Sequence, residues 1–304
     1  MPIEIPLRWK REVPLAQLTA WRIGGPARFL STPSGLDELR TDIATAAVLG
    51  LPVFALGAGS NLLFPDAGYP GLLIRLPADP PRFDAETSAV LLCPAGASLP
   101  RLARQLARDG WHGLEWAGGI PGTVGGAVVN NAGAYGGSIA DLLVSMGVLA
   151  PDGAVETWEA SRLALGYRTS ALKGREPTDC FVLSARLRLI RTDPRDTARR
   201  FEECQSQRAT TTPGEPSCGC VFRNPEGRSA GRLIQEAGLS GHRIGQAQIS
   251  PRHANYIVNL GEARAREVLE LIELIRGRVQ ERTGTWLELE IQPVGFGARF
   301  SAAR

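Results

Sequence analysis

The sequence predicts a mixed α+β chain: helices and strands interleave over the first two thirds, and a separate α+β module follows. Three observations carry that reading. Apolar residues recur at the 3.6-residue helical period in some segments and alternate at period two in others. Two irregular stretches, 76–88 with three prolines and the polar, basic 191–217, break the chain into pieces of ordinary domain size. Composition is globular, with 43% apolar and 21% charged residues in a chain of 304.

Residues 35–49 are expected to be helical, with Ser34 as cap and Leu36, Leu39, Ile43 and Ala47 on one face. LPVFAL (51–56) is a short strand that runs into glycine. Residues 99–109 form a second expected helix, with Ser98 as cap and Pro100 tolerated in the first turn. In 181–190, Phe181, Leu183, Ala185, Leu187 and Leu189 alternate with a more polar face, as in a half-buried strand. Residues 263–282 carry the stripe Val268, Leu271, Ile272, Ile275 and Val279, and Gly284 follows as a stop. TWLELEIQPV (285–294) alternates again, with Trp286, Glu288, Glu290 and Gln292 on one face. The expected divisions are 1–77, 78–197 and 198–304, with a final strand over 285–298.

Composition excludes several function classes. A net charge of +3, from 34 basic and 31 acidic residues spread along the chain, is no footprint for nucleic acid. No apolar run is long enough to span a bilayer. The N-terminal MPIEIPLRWKREVPL is charged and proline-broken and lacks a signal peptide's apolar core, so a cytoplasmic protein is expected. Five cysteines are an odd number in a long chain and do not read as a disulfide framework. Three scattered histidines, with no HExxH and no paired CxxC, make a metal site an unneeded hypothesis.

Two glycine segments carry the chemistry. LGAGSNLL (56–63) places Gly57, Gly59, Ser60 and Asn61 just after a strand, where bare amides close on a phosphate or simply form a tight turn. A dinucleotide fingerprint fails here, because Leu62 holds the third glycine position and no helix opens. AGGIPGTVGGAVVNNAGAYGG (117–137) holds eight glycines, a density that costs backbone entropy. It reads either as two tight turns beside a strand, AVV, or as a backbone surface laid against a flat cofactor and its pyrophosphate.

Together with LTAWRIGGPA (18–27), GYRTSALK (166–173), SCGCVFRNP (217–225), the segment 230–259 and LELEI (287–291), these segments resemble the UDP-N-acetylenolpyruvoylglucosamine reductases. The resemblance runs in order over nearly the whole chain. It implies a fold with a two-part FAD-binding region of the vanillyl-alcohol-oxidase type and a C-terminal α+β substrate domain. It also implies an NADPH-driven flavoenzyme that turns an enolpyruvyl nucleotide sugar into UDP-N-acetylmuramate for peptidoglycan, acting as a monomer. FAD contacts would be Gly57, Gly59, Ser60, Asn61, Ile120, Pro121, Gly122, Gly125, Gly126, Gly133 and Tyr135.

Arg168 in GYRTS matches the family arginine, and its fork grips a carboxylate with two parallel bonds. Glu290, the second glutamate of LExE, matches the glutamate that assists charge stabilisation; alternation alone does not choose between it and Glu288. Cys220 stands where many members have the serine that protonates the intermediate. A thiol of reference pKa about 8.5 is mostly protonated at neutral pH and is a stronger acid than an alcohol. A small buried hydrophobe is the structural alternative for it. Asn224, as a buried amide, Tyr167 and Arg223 are the expected substrate contacts, and His253 is either one more or a satisfied structural histidine. A lysine frequent upstream of the family's serine motif is missing here, which leaves Arg208 and Arg223 as the nearest cations for the substrate's phosphates. The short stretch from Arg168 to Cys220 matches the family's compact subclass, which lacks an extra loop over the substrate.

Three rivals explain less. A cysteine hydrolase pairing Cys220 with His242 or His253 leaves both glycine segments without a purpose. A nucleotide-sugar binding module has no need of Arg168, Cys220 and Glu290 together. An oxidase on the same flavin fold has no need of the C-terminal motifs.

Overall fold

The apolar side chains of the chain, described here by a computed structural model over residues 4–85, 88–173 and 180–296, separate into two cores. Each core belongs to one of two compact units. The first unit comprises the chain up to Lys10, Leu30–Ala58 and Gly71–Thr210; the second comprises Arg11–Phe29, Gly59–Pro70 and the chain from Thr211. These units do not follow the linear divisions expected at 77/78 and 197/198. Residues on both sides of 77/78 lie in the first unit, and two N-terminal segments go to the second.

The first unit is built on a five-stranded antiparallel sheet in the order Val155–Glu159, Leu143–Leu149, Phe181–Arg188, Val90–Pro94, Arg82–Phe83. Alternation expected in 181–190 holds for its inward residues: Phe181, Ala185, Leu187 and Leu189 are buried. A parallel pair joins Val53–Ala55 to the 72–74 segment. Helix α1 spans Leu36–Val48. Gly35, not Ser34, occupies its N-cap position, and its buried face is Leu39, Asp42 and Ala46, while Ala47 is exposed. The shift in face has a polar cause. The Asp42 carboxylate accepts hydrogen bonds from Trp9 Nε1 (2.6 Å), Ser31 Oγ (2.5 Å) and Arg8, so a charge sits where the apolar pattern places a solvent residue.

Helix α2, Leu99–Arg108, has Ser98 at its N-cap without a side-chain cap bond. It buries Leu99, Leu102, Ala103 and Leu106 against Leu91, Cys93, Ala185 and Leu187. The AVV segment is not a strand. It lies in helix α3, Val124–Val129, because Thr123 Oγ1 caps the amide of Gly126 (3.3 Å) and burial of Val124 and Val128 outweighs β-branched preference. The stretch 191–217, expected to be irregular, holds the 18-residue helix α4, Pro194–Thr211. Only Thr197 and Phe201 are buried on it, so no apolar stripe marked it, and Arg199 pairs with Asp196 and Glu203 along its exposed side.

The second unit contains a three-stranded antiparallel sheet, Arg243–Ile244, Ala247–Ile249 and Ile257–Asn259, with helices α5, Ala230–Glu236, and α6, Ala265–Thr283. All five predicted stripe residues of α6 are buried, and Gly284 ends it with φ +69°. The Asp66 carboxylate accepts from the amides of Ala265 (2.8 Å) and Arg266 (3.3 Å), which caps the positive end of α6. Trp21 is sewn into this core: its Nε1 donates to Ile257 O (2.6 Å), and Asn259 Nδ2 donates to Trp21 O (2.9 Å). The expected final strand is shorter than predicted. Regular pairing survives at Gln292–Pro293, parallel to Leu62–Leu63, and as one antiparallel bridge, Leu289 to Phe222; residues 297 and 298 lie outside the described residues. Alternation still holds, with Leu287 and Ile291 buried and Trp286 and Glu288 exposed. Among the described residues, no helix is long and apolar enough to cross a membrane, and no three metal-ligating side chains gather.

Candidate active site

Cys220 and Glu290 lie next to a single antiparallel bridge, Phe222 to Leu289, in the second unit. The amide of Glu290 donates to Val221 O (2.8 Å), and the amide of Arg223 donates to Glu288 O (2.9 Å), on either side of the Phe222–Leu289 bridge. Glu290 is half-buried, and its carbonyl accepts from Asn61 Nδ2 (3.1 Å). The Asn61 amide therefore has a structural duty beside the cofactor contact expected of it. Gly59 is dictated by its surroundings: φ is +63°, and a Cβ there would come within 2.1 Å of Leu18 O.

On the other side of the Cys220 segment lies Asn255, a residue no motif singled out. Its carbonyl accepts from Val221 N (2.8 Å), its Oδ1 from Phe222 N (3.0 Å), and its Nδ2 donates to Phe222 O (2.8 Å). His253 is half-buried, packs on Tyr256 and accepts from the Asn255 amide at Nδ1 (3.3 Å); burial holds its pKa below the ordinary imidazole value. Cys218 differs sharply from Cys220. It is buried, points its thiol at the carbonyls of Leu62 (3.5 Å) and Gly59 (3.8 Å), and burial pushes its pKa up to about 12. Cys220 is only half-buried. Arg223 pairs with Glu288 (3.5 Å), and its Nε is buried with no hydrogen-bond partner among the described residues. Asn224 is exposed, not buried as expected, because its Oδ1 turns to the amide of Ala230 (3.0 Å) at the start of α5.

Arg168 belongs to the first unit, at a tight turn. Gly166 and Thr169 exchange both backbone hydrogen bonds (3.1 and 3.2 Å), and Arg168 between them has φ +55°. A non-glycine residue held in the left-handed region at a loop tip is the kind of strain found at functional sites. Tyr167 is 57% exposed, with the Arg168 guanidinium 5.6 Å from its ring centre. The turn hangs from the second glycine segment by two side chains. Asn131 Nδ2 donates to Gly166 O (2.7 Å), while its Oδ1 accepts from Ala140 N (2.9 Å); Ser170 Oγ donates to Val129 O (2.6 Å). Arg208, considered for the substrate's phosphates, lies on α4 against Gly119.

The two glycine segments meet within this unit, since a Cβ on Gly57 would stand 2.8 Å from Thr123 Oγ1. Of the expected cofactor amides, that of Gly125 is taken by Ala95 O (2.9 Å) and that of Gly126 by Thr123. The amide of Ile120 bonds Ala117 O (3.0 Å), and Pro121 has none to offer. Among the described residues, the amides of Gly57, Ala58 and Gly122 in this unit, and those of Gly59 and Ser60 in the second, donate no hydrogen bond within the chain. Backbone donors left open in succession, as at Gly57 and Ala58 or at Gly59 and Ser60, form an anion-binding nest, so these residues fit a pyrophosphate-bearing cofactor such as FAD. Gly133 is buried in a short hairpin with Ser138, and Tyr135 beyond it is 40% exposed, with φ +51°.

Asn255 and Asn131 are the residues that sequence reasoning missed. Their only mark in the sequence is a polar side chain inside an apolar or glycine-rich run, which says nothing of where its amide points.

Comparison with known proteins gives concordant matches. A family model described as an FAD binding domain matches residues 27–159, and one described as UDP-N-acetylenolpyruvoylglucosamine reductase, C-terminal domain, matches 211–294. The UDP-N-acetylenolpyruvoylglucosamine reductase of Chloroflexus aggregans is 41% identical over 97% of this chain and 100% of its own length. That of Prochlorococcus marinus is 47% identical over 94% of this chain and 93% of its own. The crystal structure of the reductase from Thermus caldophilus matches with a TM-score of 0.80 at 41% identity, covering 94% of this chain and 98% of the other. On these matches, the chain belongs to the UDP-N-acetylenolpyruvoylglucosamine reductase family.

Proposed function

We propose that this chain performs the family reaction through Arg168, Cys220 and Glu290: the FAD-dependent, NADPH-driven reduction of UDP-N-acetylenolpyruvoylglucosamine to UDP-N-acetylmuramate for peptidoglycan synthesis. The observation that supports these roles most is the Phe222–Leu289 bridge, beside which the Glu290 amide meets Val221 O at 2.8 Å, next to Cys220. Bound FAD supplies to the methylene carbon of the enolpyruvyl group a hydride drawn from NADPH. The amides of Gly57, Ala58, Gly59, Ser60 and Gly122, with the Asn61 and Tyr135 side chains, are the groups this chain offers to hold it.

The chain's own residues handle the charge and the proton. Negative charge develops on the carbon adjacent to the methylene and on its carboxylate. The Arg168 guanidinium grips that carboxylate, and the strained turn fixes its approach. Glu290, as a carboxylic acid, donates a hydrogen bond to the same developing charge. Cys220 holds at Sγ the proton that the adjacent carbon takes up. Arg223, Tyr167 and Asn224 contact the nucleotide sugar, and the Arg223 guanidinium is the cation that serves its phosphates. Cytoplasmic placement and a monomeric state belong to the same reading; cell fractionation and sedimentation check them.

The test is the visible spectrum of the purified protein under anaerobic conditions. A flavin band that NADPH bleaches and the enolpyruvyl nucleotide sugar restores is the expected result. A colourless protein that FAD does not reconstitute overturns the reading, and a bleached band that the sugar fails to restore overturns the substrate.

A further inference from the structure

We infer that Asn255 is a positioning residue that sets the register of Cys220 against Glu290. The inference rests on the roles proposed above for those two residues. The segment 221–223 is held on one edge by 288–291, through the amides of Arg223, Glu290 and, at 3.5 Å, Ile291. Three hydrogen bonds around a single bridge, one of them at 3.5 Å, are a short ladder, and local backbone does not stiffen it: Gly219, directly before Cys220, has φ +77°. A slip of one residue in an extended pairing turns every side chain to the opposite face, which would change where the Cys220 thiol stands relative to Glu290.

Asn255 supplies the missing edge. Its main chain takes the Val221 amide, and its side-chain amide engages both polar groups of Phe222, donor to acceptor and acceptor to donor. In effect one planar amide acts as a neighbouring strand. The residue is 3% exposed, so water does not substitute easily for it, and its own amide is tied to His253. Asparagine is the residue whose side chain carries a donor and an acceptor in one plane at this length. Aspartate retains only the acceptor, and alanine retains neither.

Two measurements on the full-length holoenzyme test the clamp. The first is hydrogen exchange of individual amides in N255A and N255D. The Glu290 amide bonds Val221, not Asn255, so it reports propagation across the segment and not the loss of the bond itself. The expected result is exchange at Glu290 at least tenfold faster in N255A and at least threefold faster in N255D. Over the same comparison the Ile249 amide, bonded to His242 O in the same unit, stays within twofold. Unchanged protection at Glu290 in both variants overturns the proposal, and so does an equal rise at Glu290 and Ile249.

The second measurement separates the half-reactions by anaerobic stopped flow. In N255A, reoxidation of the flavin by the enolpyruvyl nucleotide sugar slows at least tenfold, with a larger solvent deuterium isotope effect, while reduction by NADPH stays within twofold. Equal slowing of both halves overturns positioning in favour of a general loss of structure. The expected exchange pattern in the variants, together with a wild-type flavin that the sugar never reoxidises, upholds the clamp and overturns the function proposed above, so the two failures are distinguishable.

Discussion

Replacing Asn131 tests how the Arg168 turn is held, and the structure sets the size of the effect. Asn131 is buried, sits at φ +41°, and links Gly166 O to Ala140 N through its two side-chain polar atoms. In N131A the Gly166 carbonyl keeps its bond from Thr169 but loses the one from Asn131, a net loss of about 1 kcal/mol. The Ala140 amide, on an exposed residue, also loses its acceptor, a net loss of about 1 kcal/mol. Alanine in the left-handed region adds about 1 kcal/mol. The sum is about 3 kcal/mol. For a unit of this size, that lowers the melting transition by roughly 6–12 °C. N131G loses the same bonds without the backbone penalty and is expected to be milder than N131A by about 1 kcal/mol. The assay is scanning calorimetry of wild type, N131A and N131G, with activity measured below each transition. The loosened Arg168 turn is expected to lower kcat/KM at least tenfold with FAD retained. A melting point for N131A within about 1 °C of wild type refutes the reasoning, as does N131G proving less stable than N131A.

Two further outcomes follow from the thiols. Cys220→Ala is expected to let NADPH bleach the flavin while reoxidation by the sugar stalls, and Cys220→Ser to keep substantial turnover; normal turnover in Cys220→Ala would remove the thiol from the mechanism. Cys93 and Cys218 have folded-state pKa values pushed by burial from 9.0 to about 12. Between those limits the unfolded thiols lose protons and the folded ones do not, so the stability they contribute is complete below pH about 9 and is lost as pH rises toward about 12. Urea midpoints should therefore fall from pH 8 to pH 10.5, with a shallower fall in Cys93→Ala; an identical slope in that variant would contradict the assignment.

Where apolar periodicity dominates an element, the sequence alone sufficed to find it. The α6 stripe and its glycine stop, the alternation of 181–190 and the burial of α2 rest on the hydrophobic effect acting at a fixed geometric period, which neighbours in space do not alter. Elements held by polar contacts were not legible in the same way. Helix α4 carries only two buried residues, the AVV helix depends on a threonine cap, and the face of α1 is turned by Asp42 and partners up to 34 positions away. Asn224 reads equally well as buried or exposed until Ala230 is seen to take its oxygen.

The candidate site divides along the same line. The residue types that suit the chemistry, an arginine, a thiol and a carboxylate beside glycine-rich segments, were determined by the sequence and by its resemblance to one family. Only the tertiary structure decided that the Glu290 amide meets Val221 O beside the Phe222–Leu289 bridge, that Asn61 donates to the Glu290 carbonyl, and that the Asn131 and Asn255 side chains bond the backbones of Gly166 and Phe222. The reason is physical. A side-chain amide has no preferred partner until the fold presents a peptide group at hydrogen-bond distance and excludes the water that would otherwise take its place.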